Sequence, residues 1–556
     1  MIRKIRGVSH IERNSDKGDV LASYSLYERY KNGIGVEIDE KLSEKYIIKC
    51  FEFINSLDNE ENPKNSFLLS ETGFVDFRAF RELKLKFEQH LTVIIGDNAA
   101  GKTSILEGVA KVLSWLAAGV VKEGDNGKRV TYPDINNNCE FYGEIYANFK
   151  FGKKNNISSS LSRAIKGSSE KKDSHVSELK TLANIWRKVN DFKTINLPVF
   201  AFYSVERSHY SPPSTVSSSM ASPDKRISRF DAYQGALDGP GRFDHFIEWF
   251  VFLSKKSKSK ESAEKKNLKE LIDKIRTFGN DQSNPLWDVL QEKELEYKRL
   301  NELVSDEDGI GYEKIFRTVS STISSIVPGI SDIWTDSETG YDVIYVKSKD
   351  EKLSINQLSD GQRALISLVA DLARRMVMLN PKLNNPLHGQ GIVLIDEIEL
   401  HLHPRWQQGI ISSLTKTFPN IQFIISTHSP QVLSTVDKKC IRRLVFDYDK
   451  NKIFVKEPDF QTKGVMSSDV LEQIMETNSV PDVEEAKWLD DMLFMIAENR
   501  HETDEGVMLL EKIKSHFGEN HPEVKRCESE IRLKIMKEKV GNRLKGISKD
   551  EASKKK

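Results

Sequence analysis

The chain is poor in cysteine. Four cysteines occur among 556 residues, and Cys50, Cys139, Cys440 and Cys527 lie far apart. No Cys-x-x-Cys pair is present, which argues against a disulfide framework and the usual zinc motifs. This cysteine usage is typical of a reducing compartment, so we expect a cytoplasmic protein.

Net charge is also lacking. The chain has 83 Lys and Arg against 83 Asp and Glu, a formal net charge of +0, although charged residues make up 30 % of it. A basic field over the whole chain, as nucleic-acid binding would favour, is therefore excluded, while local patches stay open. The basic stretch Lys255–Lys274 favours a solvated helix face, with contact to nucleic acid as the alternative.

Long apolar runs are missing as well. The run Trp115–Val121 is far shorter than the roughly 18 residues that a membrane helix needs, so we expect no membrane partner. The N-terminus, MIRKIRGVSHIERNSD, carries basic residues without an apolar core, unlike a secretory signal. A length of 556 residues favours two domains, or one core domain with a large insertion.

What the sequence does contain is a glycine-rich loop. Residues Gly96–Thr103 read G-x-x-x-x-G-K-T, the phosphate-binding pattern of nucleotide triphosphatases. An apolar run over 91–95 precedes the loop, and apolar residues at helical spacing follow it. This strand–loop–helix order is the context that the motif requires. The alternative is a glycine-rich turn beside a surface lysine.

The spacing of the loop predicts its chemistry. Glycines at both ends allow backbone angles at which several N–H groups converge on phosphate oxygens at a helix N-terminus. The lysine should reach the β- and γ-phosphates, and the Thr103 hydroxyl should bind Mg²⁺. The predicted ATP contacts in this loop are Gly96, Asn98, Gly101, Lys102, Thr103 and Ser104.

A second polar motif, Gln-Leu-Ser-Asp-Gly-Gln-Arg, spans residues 357–363. As structure it predicts a helix cap at Ser359 or Asp360, followed by an amphipathic helix. As function it predicts that Ser359, Gly361 and Gln362 meet an anion at that helix N-terminus.

Two further apolar runs end in polar residues. Residues 392–395 are followed by Asp396-Glu397, and residues 421–425 by Ser-Thr-His-Ser-Pro, which contains His428. Open α/β sheets place ligands at the carboxyl ends of their strands. We therefore predict that Asp396 holds Mg²⁺, that Glu397 accepts a proton from the attacking water, and that His428 lies near the γ-phosphate.

These motifs, in this order, resemble an ABC-type ATPase head of the SMC/RecF/OLD kind. The resemblance covers Phe74 to about Ala117 and Leu353 to about Val455. It implies an α/β fold: a twisted mixed sheet with flanking helices, an antiparallel β layer, a helical insertion and a helical C-terminus. It also implies a head-to-tail homodimer or larger oligomer, in which Ser359 and Gly361 of one copy contact the ATP held by Lys102 of the other.

Some residues near the motifs leave alternatives open. Glu399, His401 and His403 follow the Asp-Glu pair; we prefer a loop that shapes the dimer interface over a transition-metal site. The family usually has a glutamine after the phosphate loop, but none occurs between Gln89 and Gln234. Asp134 is the candidate for its place, without an assigned role.

The resemblance and composition together predict five regions. They are an N-terminal extension (1–70), a first head lobe (71–153), an insertion with mobile loops and short helical arms (154–345), a second head lobe (346–460) and a helical partner-binding or oligomerisation region with a disordered tail (461–556). Exposed loops are predicted at Asn155–Ser174 and Pro212–Pro223. Arg207, Arg229 and Tyr233 in the insertion could contact nucleotide or partner, or be ordinary structural residues.

More specifically, the chain resembles the ATPases of Septu-type and retron-associated antiphage systems, on the segments LPVFAFYSVER and RFDAYQGAL, the head motifs and the short C-terminus. This resemblance implies a defence ATPase that controls an HNH nuclease, and in retron systems also meets a reverse transcriptase with its RNA–DNA product (msDNA). The alternatives are an OLD-like ATPase-nuclease, which would need a carboxylate domain after about Phe460, and a RecF-like DNA-repair ATPase.

Overall fold

The structure is a computed structural model. It describes residues 6–57, 67–208, 216–217, 228–241, 243–278, 287, 289–294, 311–336, 341–449, 451–478 and 480–553. The chain divides into two compact units, Met1–Val470 and Leu471–Lys556.

The first unit contains both helices and strands, and the second is helical. The strands are β1 (Phe67–Phe77), β2 (Phe80–Lys86), β3 (Leu91–Gly96), β4 (Tyr142–Phe151), β5 (Asn155–Ala164), β6 (Val199–Tyr203), β7 (Val216–Ser217), β8 (Ile330–Asp336), β9 (Tyr341–Ser348), β10 (Glu351–Ser354), β11 (Gly391–Ile395), β12 (Ile421–Ser426), β13 (Ile441–Asp447) and β14 (Lys452–Lys456). The helices are α1 (Arg6–Asp16), α2 (Val20–Asn32), α3 (Glu40–Leu57), α4 (Lys102–Val121), α5 (Ser177–Phe192), α6 (Phe243–Phe278), α7 (Tyr312–Ile326), α8 (Asp360–Leu379), α9 (Pro404–Thr417), α10 (Pro430–Leu433), α11 (Ser467–Gln473), α12 (Glu484–Ala497), α13 (Asp504–Phe517) and α14 (Pro522–Ser553).

A six-stranded mixed sheet forms the centre of the first unit. Its strand order is β14-β13-β3-β12-β11-β6, and all neighbours are parallel except the edge pair β13–β14. Every residue of β6, β11 and β12 is buried, as expected for parallel strands that are covered on both faces. Because β3, β12, β11 and β6 are neighbours and parallel, their carboxyl ends meet at one edge of the sheet.

A four-stranded antiparallel sheet, in the order β2-β1-β4-β5, forms a second layer. This layer and the mixed sheet confirm the predicted α/β fold class. The prediction of an exposed loop at Asn155–Ser174 is wrong for β5, which pairs with β4 along its whole length. In β5 the alternate residues Asn155, Ile157, Ser159 and Leu161 are buried. Serine and asparagine at inward positions hid this alternation in the sequence.

The helix that follows the phosphate loop, α4, is long and apolar enough by composition to cross a membrane, with mean hydropathy 1.5. It is the one helix of this kind in the described part of the chain, although its longest uninterrupted apolar run is the predicted short one, Trp115–Val121. Polar residues spaced along α4 break up its apolar run without lowering its average much. Since 72 % of its apolar window is buried inside the protein, and Gly108 packs against the ring of Phe74, α4 lies in the core.

The predicted insertion contributes to more than one layer. Its strand β6 completes the central sheet beside β11, whereas β8, β9, β10 and β7 form a separate antiparallel sheet. The first of the predicted helical arms, which contains the basic stretch Lys255–Lys274, is helical, because α6 continues through it to Phe278. The part of the second arm after residue 294 lies outside the described residues. So does the predicted loop Pro212–Pro223, apart from Val216–Ser217.

The second unit is helical, which confirms the predicted helical C-terminus. Its buried core consists of Met492, Ile496, Ile513, Val524 and Cys527. Its last helix, α14, ends at Ser553. The last three residues lie outside the described part.

Candidate functional site

The phosphate loop connects β3 to α4 at the edge where the parallel strands end. Gly101 has φ +94°, in the left-handed region, and a Cβ atom there would lie 2.4 Å from the ring of Phe80. Backbone conformation and space therefore both require glycine at this position. Asn98 is exposed in the loop and Ser104 is half-buried in the first turn of α4.

Lys102 is folded back onto its own loop. Its side chain is buried, and Nζ donates hydrogen bonds to the carbonyl oxygens of Gly96 at 2.8 Å and Asp97 at 3.0 Å. Burial lowers the pKa of Lys102 below its usual value, and the carboxylates of Asp396 and Glu397 oppose that fall. The ammonium group thus lies inside the loop, in a field set by the carboxylates at the strand ends.

Thr103 and Asp396 meet across the sheet edge. Thr103 Oγ1 donates a hydrogen bond of 2.7 Å to Asp396 Oδ2, although the two residues are 293 positions apart. Ser426, at the end of β12, donates to Asp396 Oδ1. A hydroxyl and a carboxylate are the oxygen ligands that Mg²⁺ takes together with water and phosphate, so the residues present fit this ion.

Glu397 follows Asp396 in an unusual backbone conformation. Its φ is +47°, which lies in the left-handed region. A non-glycine residue held in a sparsely populated region of this kind costs about 1–3 kcal/mol. The N–H of Glu397 donates to Ser426 Oγ at 2.9 Å. Ser426 therefore contacts both carboxylate residues, a role that our sequence reasoning missed although it begins the quoted Ser-Thr-His-Ser-Pro segment.

Glu399 links the two strand ends. Its carboxylate accepts hydrogen bonds from Thr427 Oγ1 at 2.7 Å and from the backbone N–H of His428. His403 instead caps α9, accepting from the N–H of Arg405 at 3.2 Å, and His401 is exposed. Among the described residues, no three His, Cys, Asp or Glu side chains come together to hold a metal ion.

Ser359, Gly361 and Gln362, which we predicted to meet an anion, lie at the start of α8. Ser359 Oγ accepts from the N–H of Gln362 at 3.3 Å, and Gln362 Oε1 accepts from Ser359 in return. This capping box agrees with the structural interpretation of the motif. A Cβ atom at Gly361 would lie 2.4 Å from the carbonyl oxygen of His401, so α8 starts against the backbone that follows Glu397. Ser359 as a residue is exposed on the surface of the described chain.

Residues that we considered for nucleotide or partner contact are bound to the protein's own backbone. Arg229 donates to the carbonyl oxygens of Ile195 and Leu379, and Tyr233 donates to that of Pro198. Arg207 is 4 % exposed and donates to the carbonyl oxygens of Asp396 and Glu397. Burial lowers the pKa of Arg207 to about 10, opposed by the neighbouring carboxylates.

Asp134, the candidate for the missing glutamine's place, is 2 % exposed. Its carboxylate accepts from Thr131 and forms ion pairs with Arg78 and Lys111, each at 2.9 Å. These partners engage both carboxylate oxygens, and Asp134 joins the antiparallel layer to α4.

Comparison with known proteins identifies the class. Residues 75–433 match the family model described as AAA ATPase domain. The chain therefore belongs to the AAA ATPase domain family.

Individual relatives narrow this class. The chain is 32 % identical to "Retron Vc95 probable ATPase" of Vibrio cholerae, over 84 % of this chain and 89 % of that one. It is 28 % identical to "Retron Ec83 probable ATPase" of Escherichia coli, over 95 % and 97 % of the two chains. It is 39 % identical to "Septu protein PtuA" of Bacillus mycoides, over 21 % and 15 %. These relatives confirm the predicted resemblance to Septu-type and retron-associated ATPases.

Solved structures give a weaker likeness. An Smc head domain bound to the C-terminal domain of ScpA, from Pyrococcus furiosus, aligns with TM-score 0.39 and 15 % identity, covering 70 % of this chain and 97 % of that chain. A likeness at this TM-score supports no conclusion about mechanism.

Proposed function

We propose that the chain is the ATP-binding and ATP-hydrolysing regulatory subunit of an antiphage defence complex. The observation that carries this proposal is the hydrogen bond of 2.7 Å between Thr103 and Asp396. It joins the phosphate loop to a carboxylate on a strand two positions away in the sheet, as a metal-assisted phosphate site requires. The names of the relatives, retron ATPases and Septu PtuA, support the defence setting.

Binding of ATP would use groups that are already gathered at the sheet edge. The loop N–H groups and the N-terminus of α4 would hold the phosphates. Lys102 would exchange the carbonyl oxygens of Gly96 and Asp97 for phosphate oxygens. Mg²⁺, held by Thr103 and Asp396, would supply charge neutralisation for the triphosphate.

Hydrolysis would then require a base and an in-line water. Glu397 accepts the proton as the water oxygen bonds to the γ-phosphorus and the bond to the β,γ-bridging oxygen breaks. The backbone of Glu397 is fixed on its N–H side by Ser426, which supports a defined direction for the carboxylate. His428 lies two residues after the end of β12, the strand between β11 and β3 in the sheet, and would face the γ-phosphate.

A second copy would complete the pocket. Ser359 is exposed at the N-terminus of α8, where a helix favours an anion. In a head-to-tail dimer, Ser359 and Gly361 of one copy would contact the γ-phosphate held by Lys102 of the other. Loss of that phosphate would remove the contact, so ATP state would switch the assembly.

The second unit is our candidate for partner binding. Large apolar side chains are exposed on each of its helices α12, α13 and α14: Phe494 at 60 %, Met508 at 70 % and Met536 at 68 %. We propose that this unit docks an HNH nuclease, and in a retron system the reverse transcriptase with its RNA–DNA product, so that the ATPase state controls nuclease activity.

The substitution Glu397→Gln tests the ATPase part. It should lower the hydrolysis rate by about 10²-fold or more, because the base is lost, while ATP binding persists and ATP-dependent self-association increases. Light scattering with and without ATP measures the association, and Lys102→Ala, which should not bind ATP, is the matched control. Full hydrolysis by E397Q would remove Glu397 from the mechanism.

Co-purification from the native host tests the partner. Recovery of an HNH protein with the chain would support the regulatory role. Nuclease activity from the chain alone would favour the OLD-like alternative, and DNA recovered without any protein would favour the RecF-like alternative.

A further inference from the structure

Arg207 lies in a short turn, Val205–Ser208, directly after β6. Since β6 and β11 are parallel and in register, with Tyr203 opposite Ile395, this turn lies beside the Asp396–Glu397 backbone. The N–H of Asp396 donates to Tyr203 O at 2.8 Å. This hydrogen bond joins the end of β6 to the backbone immediately before Glu397, the candidate base.

The guanidinium of Arg207 makes a fork across this junction. Nη1 donates to the carbonyl oxygen of Asp396 at 2.6 Å, and Nη2 donates to that of Glu397 at 2.6 Å. On the other side, Nη1 donates to Ser204 O at 2.9 Å. Arg207 is buried, and these donors bond to main-chain carbonyl groups. Its side chain therefore holds the backbone in place and does not bind a ligand directly.

The backbone that Arg207 holds includes Glu397, whose conformation is unusual. Glu397 has φ +47°, and such a conformation persists only when surrounding contacts over-determine it. Ser426 accepts from the N–H of Glu397 at 2.9 Å, while Arg207 donates to its carbonyl oxygen. Both ends of the residue are therefore fixed, and its Cα–Cβ direction is fixed with them.

We propose that Arg207 is a positioning residue for hydrolysis, which clamps the Asp396–Glu397 backbone and so aims the Glu397 carboxylate. This inference rests on the proposed role of Glu397. It depends on the planar fork of arginine, which meets the two carbonyl oxygens with separate Nη atoms, whereas a lysine would have to meet both from one nitrogen at the end of a shorter side chain.

The test is Arg207→Lys in the full chain, alone and combined with Glu397→Gln. R207K should lower kcat by on the order of 10²-fold, the loss expected from a small misplacement of a catalytic group. The dissociation constant of a non-hydrolysable ATP analogue should change less than about threefold, because the phosphate loop is untouched. In the E397Q background R207K should lower the residual rate by less than about twofold, since residues that act as a unit are not additive.

Arg229→Lys is the matched control. Arg229 also donates to two main-chain carbonyl groups, but of Ile195 and Leu379, so R229K should keep the wild-type kcat. Melting curves of every variant report folding, and Arg207→Gln, which shortens the side chain and keeps a planar donor, replaces R207K if the lysine variant does not fold.

The outcomes separate the clamp from the proposed function. Wild-type kcat in the Arg207 variant, an equal loss in R229K, or additive losses with E397Q would overturn the clamp while leaving Glu397 as the base. Full hydrolysis by E397Q itself would remove Glu397 from the mechanism, and the clamp with it, while leaving the chain an ATPase.

Discussion

Replacing Asp134 by asparagine should destabilise the first unit while leaving its shape intact. The carboxylate is 2 % exposed and pairs with Arg78 and Lys111, each at 2.9 Å. It also accepts hydrogen bonds from the N–H of Thr131 at 2.9 Å and from the Thr131 hydroxyl at 2.7 Å. Asparagine keeps the size of the side chain but removes the negative charge that pairs with Arg78 and Lys111 and accepts the hydrogen bonds from Thr131.

The magnitude follows from the pKa. Burial alone would raise the pKa of Asp134, but the bonds from Thr131, Lys111 and Arg78 outweigh it and lower the pKa from 3.8 to about 2. At about 1.4 kcal/mol per pKa unit, the charged form contributes on the order of 2–3 kcal/mol to stability at neutral pH. Because the folded-state pKa is the lower one, this contribution is complete above the unfolded-state pKa and is lost as pH falls from about 4 towards 2.

Urea unfolding of wild type and D134N gives the measurement. The difference in unfolding free energy should be on the order of 2–3 kcal/mol, constant from pH 8 to about pH 5, and should shrink in more acidic solution. Asp76→Asn is the control, because Asp76 pairs at 3.0 Å with Arg81, whose side chain is 45 % exposed, and surface pairs contribute about 0–1 kcal/mol. Equal losses in the two variants, or a D134N loss that grows on acidification, would refute this reasoning.

Two further substitutions test the loop and the buried core. Gly101→Ala should abolish the binding of an ATP analogue measured by calorimetry, because the methyl group would lie 2.4 Å from the ring of Phe80. An affinity within about threefold of wild type would contradict the requirement for glycine at this position. Asp371→Asn should lower the unfolding free energy measured in urea by about 3–5 kcal/mol, because Asp371 is fully buried between Arg374 and Arg375. A loss below about 1 kcal/mol would show that these arginines find other partners.

Much of the fold and part of the site could be predicted from sequence because the signals are local. Apolar runs ending in Asp-Glu or Ser-Thr-His predicted β11 and β12, and the glycine spacing predicted the loop between β3 and α4. Since parallel strands meet at one edge, it also followed that Thr103 and Asp396 would approach each other, and they lie in contact.

The rest depended on neighbours that are distant in the chain. Strand β5 is rich in serine, and its inward side chains become visible only once β4 is beside it. The role of Arg207 is set by a carbonyl pair 189 and 190 positions away, and a charged residue in the sequence gives no sign that it will be buried.

The most direct test of the proposed shared ATP pocket is complementation between two variants that should be inactive. Lys102→Ala would remove the proposed phosphate contact, and Ser359→Asp would keep the helix cap but place a negative charge against the phosphate of the other copy. Ser359→Thr, which keeps both hydroxyl and cap, is the control and should remain active. Mixed in equal amounts, K102A and S359D should regain about a quarter of wild-type ATPase activity, because half of the dimers are mixed and each has one intact pocket of two. No recovery at any mixing ratio, with S359D alone still hydrolysing ATP, would contradict a pocket built from two copies.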